Sequence, residues 1–107
     1  MVIVEVELRT KDVIKILHGL RELRIEVMKQ PGYVSSNTLV GVEEPSLISV
    51  LTIWQSAKDW KTWEKSQTQI KIFKNIIPLL LEKSKIKIFR YLSYAAKPHI
   101  SDNSKED

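Results

Sequence analysis

Cysteine is absent from this 107-residue chain. Its absence removes disulfides, thiolate nucleophiles, iron–sulfur clusters and Cys-ligated zinc at one stroke. Histidine is scarce, with only His18 and His99, so a multi-histidine metal site is not expected. The three glycines, Gly19, Gly32 and Gly41, are too few and too scattered to build a phosphate-cradling loop. No stretch of 18 successive apolar residues occurs, so no membrane span is expected. The opening segment Met1–Leu8 alternates acidic with apolar residues and lacks the basic region of a secretion signal. The expectation is a cytoplasmic protein with no metal and no cofactor.

What is present fits one globular domain: 43% hydrophobic residues, 28% charged, and a net charge of +4 from 17 basic and 13 acidic side chains. The lysines are spread from Lys11 to Lys105 rather than gathered. Spaced in this way they read as a solvated surface, and no nucleic-acid partner is expected. A domain over residues 1–95 and a polar tail over 96–107 follow from the shift in composition after Ala96.

Period-2 alternation predicts a strand over Val2–Arg9, with Val2, Val4, Val6 and Leu8 on one face and Glu5, Glu7 and Arg9 on the other. Thr10 is the expected N-cap of a helix from Lys11 to Lys29, whose apolar arc is Val13, Ile16, Leu17, Leu20, Leu23, Val27 and Met28. Pro31-Gly32 ends it. Tyr33–Val42 reads as a strand, Glu43–Ser46 as a turn, and Leu47–Gln55 as the returning strand with Ile48, Val50, Thr52 and Trp54 on one face. Ser56 and Asp59 form a capping box before a helix carrying Trp60 and Trp63. A further helical stretch aligns Ile70, Phe73, Ile77 and Leu80, and Pro78 should break or restart it. Ser84–Ser93 alternates as a last strand.

The order β-α-β-β-α-α-β implies an α+β, ferredoxin-like, four-stranded antiparallel sheet with its helices on one face. Strands one, three and four nevertheless carry apolar residues on both faces. A second layer is therefore needed, and a second copy packed sheet to sheet about a two-fold axis supplies it. A homodimer is expected.

Few residues stand out chemically. Arg24 falls at 100° per residue near the centre of the first helix's apolar arc. It either snorkels past the helix end, pairs with Glu5 or Glu7, or serves as an anion-stabilising donor in a pocket. His18 lies on a flank with Ile14, Arg21 and Ile25, as an exposed or interface residue or as a general base. His99, in the tail, has no expected role. Phe73 packs in the core, lines a ligand pocket, or does both. Asn37 and Ser35 donate to a ligand or satisfy the polarity of an edge strand. Glu5 and Glu7 are expected to pair with Lys85, Lys87 or Arg90.

Two segments carry a family likeness: Gln30-Pro-Gly-Tyr-Val-Ser-Ser-Asn-Thr-Leu39, and the run from Ser49 through Trp54-Gln-Ser56, Trp60 and Trp63 to Ser66. In this order they resemble the antibiotic biosynthesis monooxygenase family, small proteins forming dimeric α+β barrels, and the likeness spans residues 2 to 93. The resemblance implies that Trp63 faces the cleft between sheet and helices, while Trp60, three residues earlier, is expected to pack onto the sheet. The haem-degrading branch of that family is similar to a pattern of a first-strand Asn, a second-helix Trp, and a His ten residues after that Trp. Here Trp63 matches, Phe73 occupies the His position, and no Asn occurs in Val2–Arg9. That branch is set aside. The resemblance then implies a cofactor-independent monooxygenase acting on a small phenolic or quinol-type aromatic; joined to the residue readings above, it makes Arg24 and Trp63 the catalytic candidates, with Trp60, Phe73, Asn37 and His18 around the ligand. The alternatives are a non-catalytic dimeric barrel that binds a small apolar ligand, and an isomerase or signal-processing enzyme on the same scaffold.

Overall fold

The computed structural model describes residues 1–92; the expected tail 96–107 and His99 lie outside them. Four strands, β1 Val2–Arg9, β2 Tyr33–Val40, β3 Leu47–Trp54 and β4 Lys85–Arg90, form one sheet in the order β2-β3-β1-β4. Every neighbouring pair is antiparallel, as the ferredoxin-like order requires. The register aligns Val4 with Thr52 on one side and with Ile88 on the other. Because side chains alternate along a strand, Val2, Val4, Val6 and Leu8 share a face with Ile48, Val50, Thr52 and Trp54 and with Ile86 and Ile88. The opposite face carries Ile3, Glu5, Glu7, Leu51, Ile53, Lys87 and Phe89.

Helix α1 spans Val13–Val27, shorter at both ends than the apolar pattern predicts. Its N-cap is Asp12, not Thr10: the Asp12 side chain accepts from the Lys15 backbone N–H at 3.0 Å. The Thr10 hydroxyl is engaged elsewhere, accepting from the Asp12 N–H at 3.0 Å and donating to the Leu79 carbonyl at 3.0 Å. It fastens the start of α1 to the segment after the third helix. The buried stripe of α1 is Ile16, Leu20 and Val27, whereas Leu17 and Met28 are exposed, so the arc is narrower than the sequence implies.

Gly32, with φ +84°, makes the reversal into β2, a backbone state that costs other L-residues energy. Its carbonyl accepts from the Gln55 N–H at 2.8 Å, and a Cβ there would collide with the Asp59 carboxylate. The end of the first crossover is thus seated on the start of the second.

Helix α2 spans Ala57–Glu64, capped by Ser56, whose side chain accepts from the Asp59 N–H at 3.2 Å. Helix α3 spans Gln67–Phe73, capped by Ser66. A 3-10 turn follows at Ile77–Leu79, containing Pro78; without an N–H, proline cannot continue the helical ladder. Because the chain leaves helical phase after Phe73, Ile76 is fully buried in place of Ile77, which is exposed; Ile70, within α3, is exposed as well, so the expected stripe does not hold there either. Ile76 packs under Gly19 of α1, where a Cβ would lie 2.8 Å from its Cγ1. Strands β2 and β4 also stop earlier than predicted, at Val40 and Arg90.

The core is divided. One cluster joins Val2, Val4, Val27, Trp54, Trp60 and Trp63 at one end of the sheet. A second joins Leu8, Ile16, Leu20, Ile48 and Ile76 at the other. Half-buried Val6 and Leu23 pack against both. Between these clusters the interior is incompletely filled.

Candidate ligand pocket

That gap is a cavity of about 270 Å³ between the sheet and the helices. Its floor comes from alternate positions of all four strands: Val6 of β1, Ser36 and Thr38 of β2, Val50 and Thr52 of β3, and Ile86 of β4. Helix α1 contributes Leu20, Leu23, Arg24 and Val27, helix α2 contributes Trp60, Trp63 and Glu64, and helix α3 contributes Gln69 and Phe73. The helical spacings explain the grouping. Residues 60, 63 and 64 are related by i, i+3 and i+4, as are 20, 23, 24 and 27, and 69 and 73 are i and i+4, so each set lies on one helix face.

The aromatic wall is held from behind. Trp54 is completely buried, and its indole N–H donates to the Thr52 hydroxyl at 2.8 Å. Its ring meets Trp60 edge-on at a centroid distance of 6.0 Å and Tyr33 at 5.9 Å, the perpendicular geometry that aromatic quadrupoles favour. The Tyr33 hydroxyl donates to Ser36 Oγ at 2.9 Å. Trp60 is therefore a braced surface.

The lining also holds the polar side chains of Ser36, Thr38, Thr52, Gln69 and Ser84, and its charge is confined to two groups. Arg24 is exposed at the cavity's edge, and Glu64 is half-buried. Among the described residues neither side chain has an ion-pair or hydrogen-bond partner, and the two are not bonded to each other. Among those residues there is also no group of three or more His, Cys, Asp or Glu that could hold a metal ion. An apolar interior with one cation and one carboxylate at its edge suits a planar organic ligand bearing a small number of oxygen functions.

Of the predicted site residues, Arg24, Trp60, Trp63 and Phe73 come together here. Asn37 and His18 do not. Asn37 pairs with Leu51 across the sheet, on the face away from the helices. The reason is a bulge: Tyr33 pairs with Trp54 but Ser35 with Ile53, so the register shifts between them. An extra residue in one strand reverses the facing of everything after it. Ser36 and Thr38 consequently enter the cavity in place of Ser35 and Asn37. His18 is exposed on the outer side of α1, away from the cavity-lining stripe. Arg24 does not pair with Glu5 or Glu7, which project from the opposite sheet face. Glu5 instead accepts from Ser49 Oγ at 2.9 Å, and Lys85 lies 3.5 Å from Glu82. Glu64 and Gln69 escape the sequence reading, although the helical spacing from Trp60 and Phe73 carries the signal for both.

A model of the antibiotic biosynthesis monooxygenase family matches residues 1–75. A comparison with curated proteins gives no match. Among solved structures, a conserved protein from Methanosarcina mazei Go1 superposes with a TM-score of 0.80 at 19% identity, over 85% of this chain and 92% of that one. A Nitrosomonas europaea protein assigned to the antibiotic biosynthesis monooxygenases gives 0.78 at 15% identity, over 87% and 100%. SnoaB, a cofactor-independent oxygenase from Streptomyces nogalater, gives 0.76 at 11% identity, over 86% and 92%. At these identities the structural matches establish a shared fold.

Proposed function

The chain belongs to the antibiotic biosynthesis monooxygenase family, and from that premise we propose that it is a cofactor-independent monooxygenase acting on a small phenolic or quinol-type aromatic. The observation that carries this reading is the cavity walled by Trp60, Trp63 and Phe73 with Arg24 at its edge, in a fold shared with SnoaB. The chemistry draws its electrons from the substrate. An acidic hydroxyarene loses its proton, and the electron-rich anion reacts with dioxygen. One oxygen atom becomes a new carbonyl and the other leaves as water, and because no external reductant takes part, all four electrons that reduce dioxygen come from the substrate as its C–H and O–H bonds give way to the quinone-type C=O.

The protein's part is to favour the anion and keep bulk water away. Arg24, exposed at the cavity's edge, supplies a permanent positive charge close to where negative charge would gather. Trp63, with 4% of its surface exposed, contributes to the aromatic wall against which the ring system would pack. Phe73 and Trp60 close the remaining sides.

We also infer a homodimer. Ile3, Leu51 and Ile53 are only half-buried and Phe89 is exposed on the uncovered sheet face, an apolar surface that a second copy would cover through its own equivalent face. The cytoplasm is the setting we assign.

Oxygen uptake in the presence of anthrones and simple hydroquinones tests the activity. Uptake should exceed that of the Trp63→Phe, Arg24→Ala double variant by at least tenfold. Equal uptake removes the oxygenase assignment in favour of a binding role. A changed substrate spectrum without oxygen consumption would assign an isomerase.

A further inference from the structure

Two charged residues line the cavity's edge without a partner among the described residues, Arg24 exposed to solvent and Glu64 half-buried. Arg24 comes from α1 and Glu64 from α2. If they served only to hold the helices together they would lie within ion-pair distance, and among the described residues they form no such pair. Each fronts a cavity whose walls are otherwise mainly Leu, Val, Ile, Trp and Phe. Groups of this kind gain most from a ligand that satisfies them and penalise one that leaves them desolvated and unmatched.

We propose that Arg24 and Glu64 act as a two-point reader, selecting a fused-ring aromatic that carries an oxyanion at one edge and a separate hydroxyl donor at another. The inference deepens the function proposed above and rests on that cavity being the substrate site. Arg24 receives the carboxylate or phenolate through charge-assisted hydrogen bonds. Glu64 accepts from the hydroxyl and repels any second anion, so a ligand bound end-for-end meets a like charge. Orientation therefore follows from charge, while the aromatic walls supply affinity without direction.

Size bounds the class further. A cavity of about 270 Å³ has room for a compact fused-ring system rather than for a single small polar metabolite.

The test is equilibrium binding, read by quenching of tryptophan fluorescence, with naphthalene, 2-naphthol, 2-naphthoate and 6-hydroxy-2-naphthoate as probes. For the native protein, affinity should rise about tenfold with each polar group, the hydroxynaphthoate binding tightest. Arg24→Gln should bring 2-naphthoate down to the level of naphthalene and leave 2-naphthol within threefold. Glu64→Leu should do the converse, removing the hydroxyl's gain and sparing the carboxylate's. Arg24→Lys should keep part of the carboxylate's gain, separating charge from packing, and melting curves of all variants confirm that the fold is kept. If all four probes bind alike, or either variant weakens all four equally, the two-point reader is overturned while the aromatic pocket stands. If none binds, the substrate site itself is lost and the reader with it.

Discussion

The two faces of the sheet are made from the same strands yet do opposite work. The helix-covered face holds Val2, Val4, Leu8, Ile48 and Trp54, all at 1% exposure or less. The uncovered face interleaves apolar Ile3, Leu51, Ile53 and Phe89 with Glu5, Ser49 and Lys87. The first face has to fold the chain alone, so its buried positions are apolar and aromatic, gathered in two clusters on either side of the cavity. The second is mixed, as surfaces are when they meet a partner and must also stay soluble until they do. If the proposed dimer forms through the uncovered face, stability of the subunit and association between subunits are separable by face, even within one strand. Val2 and Ile3 are adjacent in sequence and answer to different demands.

Breaking the covered face should have the largest effect. Trp54→Ala removes a fully buried ring that braces both Trp60 and Tyr33. A loss of about 3–5 kcal/mol is expected, a large part of the about 5–15 kcal/mol typical of a domain, and urea denaturation measures it. Ile53→Glu, on the other face, should leave the subunit folded and weaken the proposed dimer at least 100-fold, or about 2.7 kcal/mol. Light scattering should then report 12.4 kDa for the variant and about twice that for the native chain. A native mass of 12.4 kDa at micromolar concentration would defeat the dimer. The smallest effects should come from Asn37→Ala and His18→Ala, both exposed and outside the cavity. Each should change stability by less than about 0.5 kcal/mol and leave naphthol affinity within twofold. A tenfold loss on Asn37→Ala would contradict its placement.

Much of the fold is legible in the sequence because periodicity is. The alternation in Val2–Arg9 and Leu47–Trp54, the capping box at Ser56 and the break at Pro78 each reappear where the residues place them. What escapes detection is change of phase. The bulge after Tyr33 adds one residue to one strand and so exchanges Asn37 for Thr38. The end of α3 at Phe73 likewise exchanges Ile77 for Ile76. Neither event alters composition, so hydropathy patterns run through both undisturbed. The capping error has a different origin. Thr10 and Asp12 are both good caps, and the choice between them depends on Leu79, 69 residues from Thr10, which claims the threonine hydroxyl. The pocket was legible where it is aromatic and hidden where it is polar. A tryptophan on a short helix draws notice, while a glutamate one residue on looks like any solvated carboxylate.

The division of the core into two clusters has a meaning for the chain as a physical object. A sequence this short could have closed the gap between Val6 and Leu23 with larger side chains and gained a continuous interior. Instead it leaves part of that interior open. Under the proposed function, a bound aromatic would be, while it stays, a piece of the protein's own filling, and the two halves of the subunit would meet through a guest.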